Sequence, residues 1–316
     1  MRAAYARSAE PDDPLAALTV GELPEPAPPE GWVTVDVRAS SLNHHEIWSL
    51  RGVGLPADRL PMILGCDAAG VAGDGREVVV YPVVKDSADP RGYSLLSERY
   101  PGTLAERVAV PPENLVPKPA GISFHDAACL PTAWLTAFHM LTTRGRVGEG
   151  ESVLVQGAGG GVATAAVVLA VSLGKRVYAT SRDAAKRERI AALGATAVEP
   201  GARLPERVDV VIESVGTPTF EHSLKCAGPG GRIVVCGATG GHLANVDLRR
   251  VFAMQLDILG SSMGTAKELA ALLALCVDRG IKPVVDSTYG FSAVADAFAK
   301  LYSGEVFGKV AIDHNH

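Results

Sequence analysis

Two textures of hydrophobic patterning divide the chain. Up to about residue 121 the apolar residues fall in short β-type runs such as 32-WVTVDVRAS-40 and 77-EVVVYPV-83, bounded by Gly and Pro. Prolines cluster at 24-PEPAPPE-30 and 111-PPENLVPKPAG-121. This pattern predicts a β-rich unit of short strands, closed in part into a barrel. From Ser123 the apolar runs lengthen. Residues 123–141 read as a helix broken near Pro131, with Ser123 as N-cap and Asp126 three residues on. Strands are predicted at 152–156, 176–180, 208–214, 231–237 and 256–262, and helices at about 161–173, 183–193, 217–227 and 265–279. Strands that alternate with helices imply a parallel sheet with right-handed crossovers, an α/β fold. The tail, 282–312, returns to a strand, a helix and a strand.

Composition narrows the function classes. With 47% hydrophobic and 21% charged residues the chain reads as a soluble globular protein. The net charge of −5, without a Lys/Arg run, argues against a nucleic-acid partner. The apolar run from Val162 to Leu173 is too short for a bilayer, and MRAAYARSAE lacks the apolar core of a signal peptide. A cytoplasmic protein with no membrane partner is expected. The five cysteines are scattered without a CxxC, which argues against a disulfide framework and a four-cysteine zinc site.

The stretch 153-VLVQGAGGGVATAAVVLAVSLGKRVYATSR-182 runs from strand to glycine cluster to helix to strand. Glycines allow the backbone to approach a pyrophosphate and enter a helix at once. The strict GxGxxG spacing fails at Val162, but GxxGxxA is met by Gly157, Gly160 and Ala163. Gly157, Gly159, Gly160, Gly161 and Val162 are therefore candidates to hold a dinucleotide. An NAD site usually ends its second strand with an acid for the ribose 2′-hydroxyl. Here Ser181 and Arg182 stand there, with Lys186 one helical turn on, and a hydroxyl and a cation suit a 2′-phosphate. NADP(H) is expected over NAD(H), the other reading being that Arg182 is a solvated surface charge. Asp183 reads as the next N-cap.

The order of motifs resembles the medium-chain dehydrogenases/reductases, which include zinc alcohol dehydrogenases and zinc-free quinone reductases. The resemblance rests on 39-ASSLNHHEIWSLRG-52, 61-PMILGCDAAGV-71, 102-GTLAERVAVP-111, 126-DAACLPTAWLTAF-138, the glycine loop, 191-AALGA-195, 257-DILGSSM-263 and 307-FGKV-310. It implies a GroES-like catalytic domain over 1–121 and 264–316 and a Rossmann domain over 122–263, with the active cleft between them. It also implies a homodimer paired through late strands of the cofactor sheet, 231–237 and 256–262.

The family's zinc-ligand positions fall on Asn43, on Cys66 with Asp67, and on Thr132. Asn and Thr are poor zinc ligands, so no metal is expected. An improvised site from Cys66, Asp67, His45 and Glu46 is the other reading. The resemblance further suggests Asn43 as a donor to the substrate oxygen, or else a structural Asn at a strand end. His45 stands at a proton-relay position, or is a satisfied core histidine. Cys66 is a catalytic candidate or a small buried residue. Thr136 would pack beside the nicotinamide and His44 would contact the pyrophosphate, where a cationic ring would help. Ser214, Gly216, Cys236, Gly237 and Ala238 fall at carboxyl ends of parallel strands, where ligands sit in open α/β sheets. Lys309 faces the cofactor or the surface. The expected function is zinc-independent NADPH-dependent reduction of a quinone, enone or other activated double bond. The alternatives are an alcohol or aldehyde dehydrogenase, and an NADPH-binding protein with little catalysis.

Overall fold

The computed structural model describes residues 1–25 and 27–315. The chain forms two compact units, Met1–Thr132 with the stretch from Thr265 onward, and Ala133–Gly264. Residues 122–132 thus pack with the first unit, where the helix Phe124–Ala128 lies on the strands Val33–Leu42 and Asp67–Ala72. Ser123 caps that helix as expected, accepting the Asp126 backbone N–H at 3.1 Å. Pro131 does not end the helical path. Wide π turns at Leu130–Trp134 and Met140–Arg144 flank the helix Leu135–His139 and absorb the missing N–H.

The first unit is built around the long strand Val33–Leu42. It pairs antiparallel with Asp67–Ala72, Arg107–Val110 and Lys309–Asp313, and the last of these pairs parallel with Val285–Gly290. Alternation along these strands sends Val35, Val37, Ala68, Val78, Val80, Val108 and Val110 into one core. Leu42, Leu50, Leu64, Leu104, Phe298 and Val310 form another. Each large aliphatic side chain so buried contributes about 1.5–3 kcal/mol. The tail of the chain therefore completes a sheet begun by its first third.

The second unit is a six-stranded, wholly parallel sheet. Its order is Thr196–Val198, Arg176–Thr180, Ser152–Val155, Val208–Glu213, Ala227–Val235, Asp257–Gly260. Numbered along the chain this is 3-2-1-4-5-6, the doubly wound order of dinucleotide-binding sheets. The helix Gly161–Ser172 buries Ala163, Ala165, Ala166, Val167, Leu169 and Ala170, so it is apolar on more than one face. The short strand Thr196–Val198 and the helix Leu248–Ala253 are not apparent in the hydrophobic pattern. Of the two late strands proposed as a dimer edge, only the second is an edge. Ala227–Val235 lies inside the sheet, and Asp257–Gly260 closes it. Among the described residues, no helix is long and apolar enough to cross a membrane.

Candidate active site

Register in the first unit brings three strand ends together. Ser41 faces Asp67 and Leu42 faces Val310, so Asn43, Asp67 and Lys309 meet where Val33–Leu42 runs out. Glycines make the approach possible. At Gly308 φ is +105°, and a Cβ would stand 2.2 Å from the Val284 carbonyl oxygen. Lys309 is not a surface residue. It is 2% exposed, and its Nζ donates to Leu42 O at 2.8 Å, Asn43 Oδ1 at 2.5 Å and Asp67 Oδ2 at 3.0 Å. Asp67 is fully buried, and its Oδ2 also accepts from Ser41 Oγ and Asn43 Nδ2, each at 2.9 Å. Asp67 Oδ1 is buried without a partner, as is Thr132 Oγ1.

His44 and His45 open a helix, His44–Leu50. Asn43 is its N-cap, and the fully buried Glu46 accepts the backbone N–H groups of Asn43 at 2.6 Å and Cys66 at 3.2 Å. Burial pushes the Glu46 carboxyl up. His44 is exposed on this helix, with desolvation of part of its ring and the Lys309 ammonium holding it below the usual imidazole range. Both His45 nitrogens are engaged, Nδ1 by Cys66 Sγ at 3.4 Å and Nε2 by Glu98 Oε1 at 3.3 Å. Burial opposes its charge, but the Cys66 sulfur and the Glu98 carboxylate raise it well above the usual range. Cys66 is fully buried and donates to Leu96 O, and burial pushes its thiol up. That geometry makes Cys66 a partner of His45 and disfavours it as a reactive group.

These donors do not suit zinc at the family's metal position, because an ammonium already stands between Asn43 and Asp67. The improvised set fares no better. His45, Glu46 and Cys66 bring ligand atoms within 4.8 Å of one another, but both Glu46 oxygens hold backbone N–H groups and Asp67 is turned to Lys309.

In the second unit the glycine turn follows the strand Ser152–Val155. Gly157 has φ +66°, and a Cβ there would lie 2.4 Å from Val215 Cγ2. Gly159 has φ +153° and rests against the Lys186 side chain, whereas a Cβ on Gly160 would meet nothing within 4 Å. Gly160 caps the helix that begins at Gly161, Val162 is half-buried in its first turn, and Ala163 is buried. Ser181 is 5% exposed, while Arg182 is exposed and, among the described residues, makes no ion pair or side-chain hydrogen bond. Arg187 braces this turn, donating to the carbonyls of Ser181 at 2.9 Å and Arg182 at 3.1 Å. Asp183 caps the next helix by accepting the Lys186 N–H.

The turn after Val208–Glu213 is organised by a carboxylate that sequence reasoning missed. Glu213 is fully buried and accepts from the backbone of Val215 at 2.8 Å and Gly216 at 3.0 Å, and from Thr219 and Ser223. Gln156 bonds Ser223 at 3.0 Å and accepts from Thr180, which in turn accepts the Gly157 N–H. One polar chain therefore links the ends of three adjacent strands beneath Ser214 and Gly216. The signal was legible: Gln156 and Glu213 are polar residues that close the apolar runs Val153–Val155 and Val210–Ile212. Cys236, Gly237 and Ala238 leave the next strand, and burial pushes the Cys236 thiol up to about 12. Thr136, 7% exposed, lies in this unit on Leu135–His139.

Comparison with known proteins reaches both units. Residues 29–120 match the alcohol dehydrogenase GroES-like domain, and 185–312 match the zinc-binding dehydrogenases. The acryloyl-coenzyme A reductase of Sulfurisphaera tokodaii is 27% identical over 326 residues, spanning 95% of this chain and 97% of its own. A crystal structure of an NAD-dependent alcohol dehydrogenase is 33% identical and covers 100% of both chains with a TM-score of 0.89. A 2-octenoyl-CoA carboxylase reductase in complex with NADP and 2-octenoyl-CoA is 25% identical, with a TM-score of 0.90 over 99% of this chain and 87% of that one.

Proposed function

The chain belongs to the medium-chain dehydrogenase/reductase superfamily, and on that premise we propose that it is an NADPH-dependent oxidoreductase that reduces an activated carbon–carbon double bond without a metal. The observation that carries this reading is the Asn43–Asp67–Lys309 cluster, which offers a hydrogen-bond donor where a Lewis acid would otherwise be needed. Relatives named for acryloyl-CoA and 2-octenoyl-CoA support an α,β-unsaturated thioester or enone as the substrate class, ahead of a quinone.

NADPH supplies a hydride, that is, two electrons and one hydrogen. The rest falls to the chain. The hydride adds to the β-carbon, the π pair moves onto the carbonyl oxygen, and the α-carbon then takes one proton. Asn43 Nδ2 has one N–H beyond its bond to Asp67, and it donates this to the oxygen as charge develops. His45 has no free nitrogen, so we place it in support of the helix, with the α-proton drawn from water. Gly157, Gly159, Gly160, Gly161 and Val162 hold the pyrophosphate at the helix N-terminus. Ser181, Arg182 and Lys186 hold the 2′-phosphate. Thr136, Ser214, Gly216, Cys236, Gly237 and Ala238 line the nicotinamide side.

A second copy completes the picture. Among the described residues no strand pairs with the outer edge of Asp257–Gly260, whose Gly260 carbonyl accepts from Arg144 Nε at 2.8 Å, and Leu243, Leu248, Phe252 and Ile258 of this unit are 76%, 70%, 72% and 41% exposed. Pairing of two such edges would cover both. The function is tested by following NADPH oxidation with crotonyl-CoA, an enone, a quinone and an aldehyde. Turnover confined to the aldehyde would favour the alcohol dehydrogenase reading. Tight NADPH binding without turnover on any of them would favour a non-catalytic binding protein.

A further inference from the structure

The ammonium of Lys309 has three N–H groups, and all three are spent on Leu42, Asn43 and Asp67. It has none left for a substrate. Lys309 and Asp67 are also 2% and 0% exposed, and a buried ion pair of this kind is generally no more stable than an apolar pair of the same volume. Stability therefore does not account for it. Its effect on Asn43 does. The amide oxygen faces the ammonium and one amide N–H faces Asp67. Flipping the amide would set its NH2 group against NH3⁺ and its oxygen against a carboxylate. The second N–H is thus the one amide donor left in the cluster, and its direction is fixed. Among the described residues, Asp67 Oδ1 and Thr132 Oγ1 are buried polar atoms that lack a partner.

We infer that Lys309 is a positioning residue that takes the part of a divalent ion: its charge gathers Asn43 and Asp67, which stand at two of the family's metal-ligand positions, and locks the Asn43 amide so that a single N–H is presented to the substrate oxygen. This rests on the proposed role of Asn43 as the oxyanion donor.

The test is Lys309→Ala with chemical rescue. Unlocking the amide should lower kcat about 100-fold, the usual loss of one oxyanion donor, while the Kd for NADPH stays within about twofold. Ethylammonium carries the same charge and three N–H donors, so it should restore kcat by about tenfold or more and raise the Tm. Tetramethylammonium, a cation with no N–H, should do neither. An unchanged kcat in Lys309→Ala, or equal rescue by tetramethylammonium, overturns the inference. If Lys309→Ala does not fold, Lys309→Met with Asp67→Leu gives a neutral apolar pair. That variant should be folded and bind NADPH, yet remain slow, and wild-type kcat there overturns the inference as well. Should the wild type reduce none of the substrates tried, the function proposed for the site fails. An ethylammonium-dependent rise in Tm of Lys309→Ala, measured without substrate, would still support the stand-in charge, and its absence would refute it.

Discussion

Gly160→Ala separates the fold of the glycine turn from its function. Gly160 is the N-cap of the helix Gly161–Ser172, with φ −81°, and a Cβ built there meets nothing within 4 Å. No strain is introduced. Alanine is a poorer N-cap than glycine, at a cost of up to ~1 kcal/mol, but a less flexible unfolded chain offsets this by ~0.4–1 kcal/mol. The folded state should therefore hold within about 0.5 kcal/mol. The added methyl stands over the helix N-terminus, where a pyrophosphate would accept backbone N–H groups. Losing one charge-assisted hydrogen bond there costs about 1.5–3 kcal/mol, so the Kd for NADPH should rise about 10- to 100-fold. The contrast is Gly157→Ala. Its φ of +66° and a Cβ 2.4 Å from Val215 together imply about 2–5 kcal/mol of destabilisation before any ligand is considered. Thermal denaturation and NADPH titration by fluorescence measure both quantities on both variants. If Gly160→Ala binds NADPH as well as the wild type does, the turn is not a phosphate cradle and the cofactor assignment falls.

Arg182→Ala removes an exposed side chain that has no partner among the described residues, so stability should hold while NADPH binding weakens about tenfold and NADH binding does not change. An unaltered NADPH/NADH ratio would return Arg182 to the solvated surface. Asn43→Ala should lower kcat about 100-fold with little change in NADPH affinity, as read by steady-state kinetics and titration. His45 has a raised pKa in the folded protein, so its charged contacts stabilise fully below about pH 6.5 and fade as pH climbs through the raised value. A Tm–pH profile should show that decline, and His45→Gln should flatten it. Ile258→Asp should turn a dimer into a monomer on size-exclusion chromatography, and a wild type that already elutes as a monomer refutes the edge pairing.

The second unit was the more legible in the sequence because its signals are local. Val153–Val155, the glycines and the apolar helix each declare themselves within a few residues, and the alternation with later strands gives the sheet. The cluster of the first unit was less so. Asn43, Asp67 and Lys309 are far apart in the chain, and only the antiparallel register of Val33–Leu42 with two partners brings them together. Pattern alone placed Lys309 equally on a surface. The helix at His44–Leu50 was missed because it is short and opens directly from a strand, with Glu46 capping it from inside the core. Thr196–Val198 is too brief to show a period, and Pro131 looked like a stop because a wide turn that accommodates it leaves no mark in the sequence.

The lysine that closes the first-unit cluster arrives on the strand Lys309–Asp313, and its neighbours Asn43 and Asp67 precede it by most of the polypeptide. During synthesis the early strands must wait, with Asp67 facing no counter-charge from Lys309, until the intervening parallel sheet has been made and Lys309 has emerged. Chaperone dependence of the first unit should therefore be governed by the strand Lys309–Asp313, far more than its small share of the mass would suggest.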